Sequence, residues 1–188
     1  MKRVFIIHGW DGYPGEGWFP WLKKELEKNG FEVFVPEMPD PSEPKIEEWV
    51  PFLVNIVGEP DKNTYFIGHS IGCQAILRYL EKINGKKVGG VVCVAGWFIL
   101  SELETEEEKI IGRPWVETPI DFNQVKMATN KFTVIFSDDD PVVPFKENEK
   151  IFRKELNAKI IIEHNKGHFS GGDGVTELPA VLESILNF

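Results

Sequence analysis

The amino-acid sequence predicts an α/β protein, a three-layer α/β/α sandwich built around a mostly parallel six-stranded sheet. Short apolar runs without polar alternation are typical of strands that a parallel sheet buries on both faces. Segments with helical periodicity separate these runs. The chain of 188 residues is long enough for one complete core and too short for two ordinary domains, so we expect residues 1–188 to form a single domain.

The predicted strands are short apolar runs, and they lie at residues 4–7, 32–35, 64–67, 88–95, 132–136 and 159–162. In the first predicted helix, Trp18, Leu22 and Leu26 share one face, while lysines and glutamates occupy the other. The remaining predicted helices cover residues 46–57, 71–83, 145–156 and 177–186. Strands and helices that alternate in this way form right-handed crossovers, and ligands bind at the carboxyl ends of the strands.

One long segment, residues 97–130, contains no predicted strand and only a short helix-like stretch at residues 122–127. An excursion of that length between two strands is usually functional or mobile. Two interpretations stay open: a small lid over the site, and a solvated acidic face around the acidic run at residues 102–108.

The composition excludes several classes of function. A net charge of −9 argues against a nucleic-acid partner, because phosphates require a basic surface. No apolar run reaches the length of a membrane span or a secretory signal, so we expect a cytoplasmic protein with no membrane partner. Cys73 and Cys93 lack metal-ligand spacing, and the glycines of residues 9–17 lack nucleotide-binding spacing. We therefore expect no metal and no cofactor.

A nucleophile motif follows the third predicted strand. Gly68-His69-Ser70-Ile71-Gly72 fits the pattern G-x-S-x-G between a strand and a helix, where a sharp turn exposes the serine hydroxyl. The alternative is a glycine-rich turn in which the serine only caps the helix. We interpret Ser70 as a catalytic nucleophile and His69 as a packing residue whose side chain points away from it.

A serine nucleophile needs a base and an acid that orients the base, in the order serine, acid, histidine along the chain. After the fifth predicted strand come Asp138, Asp139 and Asp140, followed by a rigid Pro141. We favour Asp140 as the acid, with Asp139 as the alternative, although a solvated acidic turn also explains three adjacent carboxylates. His168 stands beside Gly167 in the loop after the sixth strand and is the predicted base, whereas His164 is expected to pack or to be solvated.

Two further sets of residues are expected around the serine. The loop after the first strand and the residue after the nucleophile supply backbone N–H groups to the oxyanion hole of this arrangement, so we assign these donors to Trp10 and Ile71. Trp97 and Trp115 are candidates for an apolar substrate pocket, because aromatic side chains favour such sites, although both also fit a core position.

With these residues in place, the chain resembles a known family, the compact serine hydrolases similar to retinoblastoma-binding protein 9 within the α/β-hydrolase superfamily. The resemblance runs nearly end to end. It depends on the opening strand and glycine loop, residues 21–27, Met38-Pro39-Asp40-Pro41, Trp49-Val50-Pro51-Phe52, Gly68-His69-Ser70, Arg113-Pro114-Trp115, Asp139-Asp140-Pro141 with Pro144, and Gly167-His168-Phe169.

The resemblance implies a minimal α/β-hydrolase fold without a large cap, strand order 2-1-3-4-5-6, and a triad of Ser70, Asp140 and His168. It also implies hydrolysis of small ester or amide substrates through an acyl-enzyme. The human-type member has a Leu-x-Cys-x-Glu motif for a retinoblastoma-type partner, but residues 54–59 read Val-Asn-Ile-Val-Gly-Glu, so that partner is not expected. A non-catalytic interaction protein, an acyltransferase and a C–C hydrolase stay open as alternatives.

Overall fold

The sheet has the predicted class and topology. A computed structural model describes residues 1–101, 103 and 105–188 of the chain. Its six strands are all parallel, in the order β2-β1-β3-β4-β5-β6, which confirms the order implied by the family resemblance. The strands are β1 (Lys2–Ile7), β2 (Phe31–Phe34), β3 (Thr64–His69), β4 (Gly90–Val94), β5 (Phe132–Ser137) and β6 (Lys159–Glu163).

Helices cover both faces of this sheet. They are α1 (Phe19–Lys28), α2 (Ile46–Val57), α3 (Ile71–Lys82), α4 (Glu106–Glu117), α5 (Phe122–Ala128), α6 (Phe145–Leu156) and α7 (Pro179–Leu186). Helix α1 packs against α7, whereas α2, α3, α5 and α6 form a continuous row of neighbours. None of the helices in the described ranges has the length and apolar character that crossing a bilayer requires.

Burial explains why the strands could be recognised in the sequence. Strands β3, β4 and β5 are buried along their whole length, so neither face of these strands carries the polar alternation of a solvated sheet. The edge strand β2 does alternate between buried and exposed positions, and the other edge strand β6 is partly exposed. The carboxyl ends of the strands therefore emerge from one continuous hydrophobic core.

The segment between β4 and β5 contains one helix that the sequence analysis did not predict. Helix α4 starts at a capping box, in which the Thr105 hydroxyl accepts from the Glu108 N–H and the Glu108 carboxylate accepts from the Thr105 N–H. Three glutamates in its first turn also favour the positive end of the helix dipole. Pro114 lies inside this helix and has no N–H to donate to the preceding turn, so one hydrogen bond of the helix is missing there.

A buried arginine attaches α4 to α3. Arg78 lies on α3, and its guanidinium donates to the carbonyls of Trp115 (2.9 Å) and Thr118 (2.8 Å) at the carboxyl end of α4. A cation is favourable at this end of a helix, where the carbonyls have no partner within the helix. The Arg78 guanidinium also lies over the Trp115 ring. The far end of α4 is thus fixed to the helix that follows Ser70.

Candidate active site

Ser70 lies in a strained turn between β3 and α3. Its φ of 51° and ψ of −120° are rare for a residue with a side chain. A Cβ at Gly72 would lie 2.5 Å from the Ile7 carbonyl oxygen, and one at Gly68 would lie 2.7 Å from the Cys73 nitrogen. Only glycine fits at either place, because Gly68 lies directly against the first turn of α3 and Gly72 lies directly against the end of β1. The two glycines of the motif therefore permit the turn that presents Ser70.

His168 is paired with Asp140. Its Nδ1 lies 2.9 Å from the Asp140 Oδ2, and the Asp140 side chain is only 2% exposed. The other carboxylate oxygen, Oδ1, accepts from the backbone N–H groups of Val142 (2.8 Å) and Val143 (3.0 Å). Since a carboxylate accepts hydrogen bonds, the His168 proton stands on Nδ1 and the Nε2 of the neutral ring is left as an acceptor.

The three adjacent carboxylates have three different partners. Asp138 contacts the exposed His164 ring at 2.5 Å, and this pair lowers the pKa of Asp138 and raises that of His164. Asp139 accepts from the Ser137 hydroxyl (2.6 Å) and from the Gly167 N–H (2.9 Å), which lowers its pKa. Each carboxylate is therefore aimed differently by the turn, and Asp140 is the one that contacts His168.

A network of hydrogen bonds holds the loop that carries His168. Asp173 accepts from the backbone N–H of His168 (3.1 Å) and of Ser170 (2.9 Å). Burial alone would raise the pKa of Asp173, but its hydrogen bonds together lower it. A Cβ at Gly167 would clash with the Asp173 carboxylate. The Trp18 indole donates to the Phe169 carbonyl at 3.1 Å, so the loop has a fixed shape on both sides of His168.

His69 adds a contact that the sequence analysis did not foresee. It is buried as expected, with its ring near those of Trp18 and Phe19, but its Nε2 also donates to the His168 carbonyl at 2.7 Å. Burial lowers the pKa of His69 to about 3, and the neighbouring His168 contributes to this decrease. The ring therefore stays neutral and holds the backbone of His168 from the side of Ser70.

The loop after β1 is fixed by His8. The His8 Nδ1 donates to the Gly9 carbonyl (2.8 Å) and its Nε2 accepts from the Met38 N–H (3.0 Å), while burial lowers its pKa. A Cβ at Gly9 would lie 3.1 Å from the His69 ring, so this loop passes close to Ser70. Among the hydrogen bonds of the described residues, none uses the Trp10 N–H or the Ile71 N–H. Both donors of the predicted oxyanion hole are therefore without an acceptor in these parts of the chain.

Ser70 and His168 line one cavity of about 510 Å³. No hydrogen bond joins the Ser70 hydroxyl to the His168 ring within the described ranges; the Ser70 Oγ instead accepts from the Trp97 indole at 3.4 Å. The other described residues that line the cavity are Gly9, Trp10, Asp11, Glu16, Ser42, His69, Leu103, Thr105, Glu107, Glu108, Ile111, Val142 and Ser170. Part of the excursion after β4 therefore forms one wall of the cavity.

Two aromatic residues expected in the pocket lie outside this lining. Trp97 is 2% exposed and touches Ser70 from the protein interior. Trp115 is 1% exposed, donates to the Pro44 carbonyl at 2.8 Å and packs on the ring of Trp49. Both are core residues at these positions, which is the alternative that the sequence left open.

The lining instead carries several carboxylates. Asp11, Glu16, Glu107 and Glu108 face the cavity, and no lysine or arginine is among its described lining residues. Glu16 is half-buried, and this burial raises its pKa. The cavity therefore has a negative electrostatic character around Ser70. Within the described residues, no group of three or more His, Cys, Asp or Glu side chains is arranged to hold a metal ion.

Solved structures of other proteins share this fold. The solved structure of the ydeN gene product from Bacillus subtilis superposes with a TM-score of 0.89 at 30% identity, covering 100% of this chain and 98% of that one. Est1E from Butyrivibrio proteoclasticus, solved with ferulic acid bound, has the same fold, with a TM-score of 0.77 at 15% identity over 100% of this chain and 88% of its own.

Sequence comparison identifies the family as well as the fold. The YdeN protein of Bacillus subtilis (strain 168) is 32% identical over an alignment of 189 positions, which covers 100% of this chain and 96% of YdeN. The serine hydrolase RBBP9 of Rattus norvegicus is 32% identical over 174 residues, covering 90% of this chain and 87% of its own. A family model for serine hydrolases matches residues 4–187. By this match along nearly the whole chain, the protein belongs to the serine hydrolase family.

Proposed function

We propose that this serine hydrolase cleaves small ester or amide substrates through an acyl-enzyme on Ser70, with His168 as base and Asp140 as its orienting acid. One observation carries the proposal: a buried, twice-anchored carboxylate fixes the tautomer of a histidine that shares a cavity with a serine in a strained turn. A purely structural histidine needs neither the buried carboxylate nor the shared cavity.

In the first half-reaction, His168 Nε2 accepts the hydroxyl proton while Ser70 Oγ bonds to the substrate carbonyl carbon. The carbonyl π electrons move to oxygen, and the tetrahedral oxyanion points to the N–H groups of Trp10 and Ile71. The intermediate then collapses, and the leaving alcohol or amine takes the proton from Nε2. Ser70 now carries the acyl group as an ester.

In the second half-reaction, water gives a proton to His168 Nε2 and attacks the acyl carbon. The second oxyanion uses the same two N–H donors, and Ser70 Oγ leaves with the proton from Nε2. Asp140 stays ionised throughout and stabilises the imidazolium. Each residue named in this proposed cycle lies a few positions after the carboxyl end of a strand, at the same edge of the sheet.

The cavity supports a small substrate. Its volume of about 510 Å³ lies within the range of small-molecule sites. We propose neutral or cationic esters and amides as the substrate class, because carboxylates face the cavity.

A fluorophosphonate probe tests the proposal, since only an activated serine reacts with it. We expect the wild-type protein to be labelled at one site and Ser70→Ala to lose the label completely, together with hydrolysis of p-nitrophenyl acetate. Ser101→Ala is a matched control, because Ser101 does not line the cavity. An unlabelled wild type whose folding is verified by circular dichroism would contradict the catalytic proposal and favour an interaction protein.

A further inference from the structure

The Ser70 hydroxyl has an unusual neighbour. The indole Nε1 of Trp97 donates to Ser70 Oγ at 3.4 Å, and the Trp97 side chain is 2% exposed. The indole therefore reaches the nucleophile from the protein interior, and Trp97 is not among the described residues that line the cavity. The two half-reactions proposed above do not involve this residue.

The position of Trp97 is strongly determined by the fold. Ala95, just after β4, has a φ of 47°, which is rare for a residue with a side chain. The Gln74 side chain donates to the Trp97 carbonyl, and Asn148 Oδ1 accepts from the next N–H group, that of Phe98, at 2.7 Å. The backbone therefore turns at Ala95, and both polar atoms of the peptide group between Trp97 and Phe98 are hydrogen-bonded. These contacts fix the position from which the indole reaches Ser70.

Hydrogen-bond chemistry gives this contact one direction. An indole N–H only donates, whereas a serine hydroxyl has one proton and two lone pairs. The Trp97 N–H can therefore bond only to a lone pair of Oγ, and the hydroxyl proton is left to point at another acceptor. The three directions around Oγ are then divided between the indole, the base His168 and the substrate carbon.

We propose that Trp97 is a catalytic residue that donates to Ser70 Oγ, directing the hydroxyl proton toward His168 and stabilising the negative charge that develops on Oγ. This inference depends on the proposed function. In acylation, Oγ gives its proton to Nε2 while its free lone pair bonds to the carbonyl carbon. In deacylation, the bond between Oγ and the acyl carbon breaks, its electron pair returns to Oγ, and Nε2 supplies the proton. The indole keeps its own proton in both steps.

The long distance fits this role. At 3.4 Å the bond to a neutral hydroxyl is weak, because hydrogen bonds of this kind are strongest near 2.9 Å. A charged acceptor shortens and roughly doubles the strength of such a bond. The donor therefore stabilises the transition state more than the resting enzyme, and only such a difference accelerates a reaction.

The test removes the N–H and keeps the ring. In Trp97→3-benzothienylalanine, sulfur replaces the indole nitrogen, so the side chain keeps nearly the same volume and loses the donor. We expect the rate constants for fluorophosphonate labelling and for acylation and deacylation of p-nitrophenyl acetate to fall by about tenfold, the loss of one hydrogen bond to a charged group, with an unchanged dissociation constant for substrate. Stopped-flow burst kinetics separate the two chemical steps.

The same replacement at Trp49 is the matched control. Trp49 is also fully buried and its indole donates to a backbone carbonyl, that of Pro39, without lining the cavity. Labelling of the Trp97 variant at the wild-type rate or faster would overturn the inference while leaving the proposed function standing. An equal loss in both variants would also overturn it, because general packing would then explain the effect. An unlabelled wild type would refute the proposed function itself.

Discussion

Replacing Asp140 by asparagine exchanges one carboxylate oxygen for an NH₂ group without changing the volume. The two backbone N–H groups of Val142 and Val143 both point at the Oδ1 site, so the amide oxygen of the Asp140→Asn variant must occupy that site. The NH₂ group then faces His168 Nδ1 as a donor. His168 can satisfy that donor only by moving its own proton to Nε2, the atom that accepts the proton of Ser70 in the proposed mechanism.

The expected loss follows from this change of tautomer. In the serine proteases, asparagine at the corresponding acid lowers turnover on the order of 10⁴-fold while the geometry stays intact, and we expect a loss of that order here. The measurement is kcat for p-nitrophenyl acetate at pH 7, with circular dichroism to verify the fold.

Variants of the two preceding aspartates, Asp138 and Asp139, are the controls. Asp138→Asn loses an exposed contact with His164, and Asp139→Asn keeps an oxygen for the Gly167 N–H, so both should retain most of the wild-type turnover. If Asp139→Asn abolishes activity while Asp140→Asn retains it, the assignment of the acid is wrong.

Two further predictions use the charges around the site. His69 has a pKa of about 3 in the folded protein, against a usual value of 6.5. Between these two pH values the imidazole binds a proton in the unfolded chain but not in the folded protein. The free energy of unfolding therefore decreases as the pH falls through this range, by roughly 1 kcal/mol per pH unit. In urea titrations at pH 7 and pH 5, His69→Gln should lose less stability on acidification than the wild type, and an identical loss in both would contradict the burial argument. Glu16→Gln should raise kcat/KM for the anionic p-nitrophenyl hemisuccinate relative to p-nitrophenyl acetate by about fivefold at low salt, because it removes one negative charge from the cavity. Glu27→Gln, outside the cavity, is the control, and an equal ratio in both variants would refute the electrostatic explanation.

The sheet was predictable because its constraint is local. A strand buried on both faces must be apolar at every position, and this rule found β3 and β5 to within two residues of their ends. Helix α4 was not predicted; Pro114 lies inside it, and proline disfavours the interior of a helix. The spacing of Thr105 and Glu108, a capping box, is the signal that would have found its start.

The site was predictable only where a motif is contiguous. The turn around Ser70 is predicted by a motif of five consecutive residues. The order of serine, acid and histidine along the chain then limits the candidates for the acid and the base to residues after Ser70. The contact of His69 with the His168 carbonyl joins positions 99 residues apart, and that of Trp97 with Ser70 joins positions 27 apart. Both contacts depend on the backbone conformation just after neighbouring strands. For Trp97 that conformation includes the positive φ of Ala95, which no sequence motif predicts.

The attachment of α4 through Arg78 has a consequence for how this protein can diversify. Arg78 binds main-chain carbonyls, which every amino acid provides, so substitutions of the exposed residues of α4 leave these hydrogen bonds intact. The opposite end of the helix contributes Glu107, Glu108 and Ile111 to the cavity. Substitutions at these three positions can therefore change the shape and charge of one wall of the cavity without altering Ser70, Asp140 or His168.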